Sequence, residues 1–171
     1  MSFCVRKASK NDLPALRQLA EASFIATYAA QNPPHVLNQY VEKAFTDKQF
    51  QQEFDDDANI VFVAVEDDTL TGYLNLRMGK IPDCILDPKS IEIKRLYTDP
   101  DRKGQGIGSA LMRAAENVAK SMGYTCIWLG VFQKNKLAIA FYEKKGLTIA
   151  GEKIFMMGDD PQKDYVMVKS I

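Results

Sequence analysis

A chain of 171 residues has the length of one domain, and at that size folding removes roughly 70% of the unfolded surface from water without disulfides or a structural metal. Hydrophobic residues make up 46% and charged residues 26% of it, which excludes a disordered chain. Lysine plus arginine number 22 and aspartate plus glutamate 22, so no net charge draws the molecule onto nucleic acid.

Residues 3–8 form a short strand candidate. Asn11 and Asp12 follow as N-caps, Pro14 fits only a first helical turn, and Leu13, Leu16, Ala20, Phe24 and Tyr28 recur at helical spacing. Pro33 and Pro34 break that helix and open the next, which carries Val36, Leu37, Tyr40 and Val41 toward Phe45. A third short helix, about 47–54, ends in Asp55, Asp56 and Asp57. The period then changes to two. "NIVFVAVEDDTLTGYLNLRM" reads as two strands around a tight turn at Asp67 and Asp68. Leu70, Gly72, Leu74, Leu76 and Met78 form the buried face of this hairpin and Thr69, Thr71, Tyr73, Asn75 and Arg77 the other. "GKIPDCILDPKS" is a loop, and "IEIKRLYT" is a strand. After a glycine segment, Ile107, Leu111, Ala114 and Val118 share one helical stripe that Gly123 terminates. "CIWLGV" is continuously apolar, as befits a strand covered on both faces. These strands and the helix between them make a βαβ unit with a right-handed crossover. A last helix, about 136–145, stops at Gly146, and two strands, about 147–156 and 165–171, flank the turn-rich "GDDPQKD". No repeat or linker interrupts the chain, so residues 1–171 are expected to form one domain of the α/β (α+β) class.

Cys4, Cys84 and Cys126 are an odd count without C-x-x-C spacing, and His35 is the only imidazole. Neither a thiolate zinc site nor a histidine triad is indicated, and no metal is expected. "MSFCVRKASK" lacks an apolar core of a leader, and no 18 consecutive residues are apolar. A cytoplasmic protein without membrane or nucleic-acid partners is expected.

The chemistry concentrates in "DRKGQGIGSALMRAAENVAK", residues 101–120. Gly104, Gly106 and Gly108 alternate just before a helix, whose N-terminal amides lack intrahelical partners and attract anions. Glycine lets a phosphate approach those amides, or merely permits positive φ. The P-loop is excluded because Ser109 stands five residues after Gly104, where that motif requires glycine followed by lysine. The dinucleotide fingerprint fails at Ser109 too, and residues 124–133 contain neither Asp nor Glu to hold a ribose.

"KGQGIG", from Lys103 through Gly104, Gln105, Gly106 and Ile107 to Gly108, resembles the pyrophosphate loop of the GCN5-related N-acetyltransferases. "IEIKRLYTDP", "NKLAIAFYEKKGL" and the order of elements extend the resemblance over nearly the whole chain. It implies a mixed sheet of about seven strands, an antiparallel N-terminal part, a βαβ coenzyme-binding core and flanking helices. It also implies acetyl-coenzyme A as cosubstrate. Lys103 replaces the usual Arg or Gln with Arg102 beside it, which leaves open which side chain supports the loop. Ser109 continues the coenzyme-binding stretch.

Acetyl transfer to an amine needs two proton movements. An alkylammonium with pKa near 10.4 must lose a proton, at roughly 4 kcal/mol near pH 7, and the departing thiolate benefits from gaining one. By the resemblance, Tyr142 of "FYEKKG" faces the coenzyme sulfur as general acid; read from spacing alone it is a packed helix residue. Asn135 is an N-cap of that helix, and the resemblance adds a contact to the coenzyme. Glu92 alternates with Ile91 and Ile93; it is either a base acting through water or a solvated strand carboxylate. Leu96, Tyr97 and Thr98 are implied to pair with the pantetheine amides through their backbone, on a strand splayed from "CIWLGV".

Three stretches, "SFIATYAAQNPPHVLNQY", "LGVFQKNKLAIAFYEKKG" and "GEKIFMMGDDPQKDYVM", resemble the bacterial branch that acetylates spermidine and spermine. Carboxylates suited to a polycation are Glu92, Asp55, Asp56, Asp57, Asp159 and Asp160. Other acceptors, namely a protein N-terminus, a lysine or another small amine, stay open, as does a coenzyme-binding regulatory module without catalysis. Oligomeric state is left open, a homodimer included.

Overall fold

Seven strands form one sheet in the computed structural model, which describes residues 2–171. They are β1 (Cys4–Lys7), β2 (Asn59–Glu66), β3 (Thr69–Arg77), β4 (Ser90–Thr98), β5 (Cys126–Phe132), β6 (Thr148–Met157) and β7 (Asp160–Ser170). Across the sheet the order is β1-β2-β3-β4-β5-β7-β6. Neighbours are antiparallel except β4 and β5, which run parallel. Helices α4 (Ile107–Ser121) and α5 (Lys136–Lys144) pack on one face, and α1 (Leu13–Tyr28), α2 (Pro34–Ala44) and α3 (Asp47–Asp55) on the other.

Local sequence explains most boundaries. Asp67 and Asp68 sit at φ 46° and 61°, a left-handed pair that aspartate tolerates and that matches the twist of a hairpin. Pro14 and Pro34 each stand in a first helical turn. Thr46 caps α3 by accepting a hydrogen bond from the Gln49 N–H at 3.1 Å. Gly123 and Gly146 close α4 and α5 at φ 85° and 87°, values that L side chains resist.

Two expectations are corrected. The β2–β3 hairpin was expected to bury one face, yet residues 71–76 are buried throughout. Leu74 and Leu76 join Leu111, Met112 and Ala115 in one core, while Tyr73 joins Leu16, Ala20 and Phe24 in the other. A strand in the middle layer of three has no solvated side, and its polar residues are kept there by pairing. The Thr71 hydroxyl donates to the Ala64 carbonyl at 3.3 Å, and the Asn75 amide donates to Asn59 Oδ1 at 3.1 Å. The segment "GDDPQKD" was expected to be a turn, but β7 begins at Asp160 and pairs with β6 from Met157 onward. Pro161 is tolerated because β5 reaches only as far as Asp164, so β7 has one neighbour there and behaves as an edge.

The sheet parts in its middle. β4 and β5 pair only at Ser90–Cys126, Ile91–Ile127 and Glu92–Trp128, although both strands continue beyond. Leu76 faces Ile93 while Asn75 faces Arg95, so Lys94 is an extra residue in β4, and a bulge of this kind bends and twists its strand. Lys94 and Arg95 both bind Glu53 of α3, at 2.8 and 2.7 Å, and the Arg95 guanidinium lies 5.2 Å from the Phe50 ring centroid. Such a buried ion cluster contributes little net stability. Its effect is positional: it ties the bulged half of β4 toward α3 and away from β5.

Candidate active site

A cleft of about 900 Å³ opens where β4 and β5 part. Residues 93–98 of β4 form one wall and Leu129, Gly130 and Val131 of β5 the other. The loop into α4 lies at its mouth, α5 closes one side, and Thr27, Tyr28 and Gln31 reach in from α1 and its C-terminal turn. The Gln31 amide donates to the Lys134 carbonyl at 3.1 Å, which links that turn to the loop after β5.

The glycine loop resolves into two functions. Gly104 and Gly106 have φ of 81° and 82°, and a Cβ at either would meet nothing within 4 Å. Backbone geometry requires glycine there, and packing does not. The same bareness leaves the amides approachable. Gly106 is the N-cap of α4, and the first helical bond runs from Ala110 N–H to its carbonyl at 3.0 Å. The amides of Ile107, Gly108 and Ser109 are therefore without helical acceptors, at the positive end of a 15-residue helix. Gly108 differs, since a Cβ there would rest against the Phe141 ring at 3.4 Å.

Of the residues expected to hold the coenzyme, Leu96, Tyr97, Thr98, Lys103, Gly104, Gly106, Ile107, Gly108, Ser109, Asn135 and Tyr142 all line the cleft. Gln105 does not; it is exposed at the turn between two left-handed glycines. Arg102 and Lys103 both line the cleft, but the Arg102 guanidinium donates to the buried Glu66 carboxylate of β2, whereas Lys103 is exposed. Asn135 caps α5, its Oδ1 accepting from Ala138 N–H at 3.1 Å. Tyr142 is buried further along the same helix, edge-on to Phe141 with ring centroids 5.3 Å apart. Burial pushes its phenol above the ordinary tyrosine value, so it keeps its proton at neutral pH.

Glu92 lies on the last paired rung beneath the parting and does not line the cleft. Its Oε2 accepts from Arg77 Nε at 2.7 Å and Nη2 at 2.6 Å, and Lys153 Nζ stands 3.9 Å from Oε1. The carboxylate clusters expected to meet a polycation lie elsewhere. Asp55 pairs with Lys10 at 3.0 Å, Asp56 accepts from Ala58 N–H at 2.9 Å, Asp159 accepts from Gln39, and Asp160 accepts from Gln162. None of these, nor Asp57, lines the cleft. Local bonding accounts for Asp56 and Asp160, and contacts with Lys10 and Gln39 for Asp55 and Asp159.

Two residues near the cleft were missed in the sequence. Tyr28 ends the apolar stripe of α1 and lines the cleft; burial first, then the charges of Asp164 and Tyr142, raise its phenol. Asp164 falls in the segment read as a turn, yet it is buried in β7. Burial raises its carboxyl to about 6 against the partial opposition of Lys153. Among the described residues no three His, Cys, Asp or Glu side chains group as a metal set. None of the described helices is long and apolar enough to cross a membrane.

A sheet parted at its parallel pair, with an anion-receptive helix N-terminus at the opening, makes a cleft suited to an extended anionic ligand. Residues 14–147 match the Acetyltransferase (GNAT) family, and the chain belongs to it. An uncharacterised N-acetyltransferase of Mycobacterium tuberculosis is 31% identical over 161 residues, covering 94% of this chain and 98% of that one. The spermidine N(1)-acetyltransferase of Thermoplasma acidophilum is 28% identical over 173 residues, covering 99% and 98%. Among solved structures, that of PaiA N-acetyltransferase from T. acidophilum in complex with coenzyme A superposes with TM-score 0.79 at 24% identity, over the full length of both chains. The protein is an N-acetyltransferase with acetyl-coenzyme A as cosubstrate.

Proposed function

We propose that this enzyme acetylates a primary amine of a polyamine, spermidine or spermine, within the cleft between β4 and β5, with Tyr142 as general acid. The observation that carries the reading is the coincidence of three features in one cleft: the parted strands, the bare glycine loop at α4 and the buried Tyr142. The polyamine acceptor is supported by the full-length likeness to the T. acidophilum spermidine enzyme.

The residues present fit the coenzyme. The amides of Ile107, Gly108 and Ser109 suit a diphosphate, with Lys103 as the nearby exposed cation and Arg102 engaged by Glu66. The backbone of Leu96, Tyr97 and Thr98 has no β5 partner and suits an amide-bearing arm laid alongside as an added strand. Asn135 stands at the same wall, and Gln105 contributes its place in the loop. When bound, the coenzyme supplies an acetyl thioester, an activated acyl group with a thiolate to release. Tyr142 holds a proton in a buried place where neutral water is excluded, and it gives that proton to the leaving sulfur. Burial makes the phenol a donor and rules it out as the neutral-pH base. Glu92 is oriented by Arg77 and Lys153, and as a base it would act through water from below the parting.

The experiment is thiol release from acetyl-coenzyme A with spermidine, spermine, an alanine-led peptide and a lysine peptide as acceptors. The expected result is the highest kcat/KM with spermidine or spermine and competition between the two. Transfer to a peptide with none to either polyamine at millimolar concentration would overturn the acceptor. No transfer to any amine, with acetyl-coenzyme A still bound, would favour a regulatory module.

A further inference from the structure

Among the described residues three carboxylates are buried. Glu66 receives Arg102, and Glu92 receives Arg77. Asp164, 7% exposed, has no hydrogen bond or ion pair to its carboxylate from any described residue. An unpartnered buried carboxylate is costly, and a native structure that keeps one calls for a reason.

Its position supplies the reason. Asp164 Oδ2 lies 3.3 Å from the point a Cβ on Gly130 would occupy, and Gly130 is part of the cleft wall. Asp164 does not itself line the cleft, and the gap that Gly130 leaves beside this carboxylate is filled by the Lys153 side chain. The charged and titratable groups facing that gap are Lys153 from β6, Glu92 from β4, Tyr28 from α1 and Tyr40 from α2. Lys153 Nζ stands 2.7 Å from the same Cβ point and 5.3 Å from the Trp128 ring centroid. A primary ammonium on an alkyl stem is thus already accommodated between a ring face and two carboxylates, which shows the chemistry the spot accepts. Tyr28, which lines the cleft, is raised in part by the charge of Asp164.

We propose that Asp164 is the acceptor-side carboxylate: the substrate ammonium displaces the Lys153 head group over Gly130, pairs with Asp164, and transfers one proton to its Oδ2. The electron pair of the broken N–H bond stays on nitrogen and forms the bond to the acetyl carbon, as the carbon–sulfur pair leaves with the thiolate, which takes the Tyr142 proton; the second amine proton then restores Tyr142. This rests on the cleft reading above. Burial, partly opposed by Lys153, leaves the carboxyl titrating at about 6, so it is ionised at pH 7 and basic enough to accept a proton.

The test is Asp164→Asn with spermidine as acceptor. Calorimetric affinity for acetyl-coenzyme A stays within about twofold, kcat/KM for the amine falls about 100-fold or more, and the acid limb of the wild-type profile near pH 6 disappears. A variant with wild-type kcat/KM and the acid limb intact overturns the inference alone. Absence of acetyl-coenzyme A binding to the wild type overturns the cleft reading itself. Carboxyl ¹³C titration of wild-type protein gives a second measurement that needs no variant. Saturating spermidine, with acetyl-coenzyme A replaced by coenzyme A, moves the Asp164 titration to lower pH; an unmoved titration overturns the inference.

Discussion

Asp164→Asn also reads out the environment of the carboxylate through stability, independently of turnover. The native carboxyl titrates at about 6 against an ordinary 3.8. Because it is raised, the native state binds this proton more tightly than the unfolded chain does. Above pH 6 both states have lost the proton, and the native state bears the whole difference, about 3 kcal/mol. As pH falls through 6 the native carboxyl protonates first and the penalty shrinks; below 3.8 it is gone. Asparagine has nearly the same shape and no charge, and the cost of burying its unpaired amide does not change with pH, so the change of the difference with pH reads the carboxylate. For a chain of this length each kcal/mol moves Tm by roughly 2–4 °C, so the variant's Tm relative to wild type should rise by about 6–12 °C from pH 4 to pH 8. Paired circular dichroism melts from pH 4 to 8.5 measure it, and changes in other carboxylates cancel between the two proteins. A pH-independent difference, or one that shifts toward the wild type as pH rises, would refute the assignment of an unpartnered buried carboxylate. Stability gained together with amine turnover lost is the expected mark of a residue kept for chemistry.

Tyr142→Phe is expected to lower turnover by about 10²- to 10⁴-fold while acetyl-coenzyme A affinity, read by calorimetry, holds; unchanged turnover removes the phenol from the chemistry. Gly106→Ala forces alanine to φ 82°, a strain of about 1–2 kcal/mol, so both Tm and coenzyme affinity should drop although the added methyl touches nothing. Glu92→Gln weakens the two-point contact with Arg77 and should lower stability by on the order of 2 kcal/mol. The acid limb of the rate profile should survive it, and loss of that limb would transfer the base role to Glu92.

What was legible in the sequence was what short-range physics decides. Asp67 and Asp68 between alternating strands, Gly123 and Gly146 behind apolar stripes, and the two bare glycines before α4 each announce a local conformation. The second buried face of β3 was illegible, because Thr71, Tyr73 and Asn75 become interior only when α1 docks on them. The bulge at Lys94 was illegible for a related reason: its anchor, Glu53, lies 42 residues from Arg95. Asp164 was hidden by composition. Two aspartates, a proline and a glycine read as a turn, and pairing with β6, joined by β5 only at Asp164, draws the segment into a strand. The glycine loop and the tyrosine helix, which resemble a known family, could be placed by likeness. The acceptor side, built from long-range contacts among β5, β6 and β7, could not.

Burial acts on Tyr142 and Asp164 in the same direction, and that single effect separates their roles. Both groups ionise by losing a proton, so taking either out of water favours the protonated form. For the phenol, already protonated at neutral pH, the shift moves it further from ionisation and leaves a donor. For the carboxyl, the shift carries it up to about 6, close enough to neutrality that gaining a proton becomes an accessible event. An acid and a base of opposite use thus arise from one physical cause acting on two different starting values. The parting of β4 from β5 then has a second consequence beyond admitting the coenzyme. It leaves Gly130 on the cleft wall, and a side chain there would collide with Lys153 and take the place proposed for the amine beside the base.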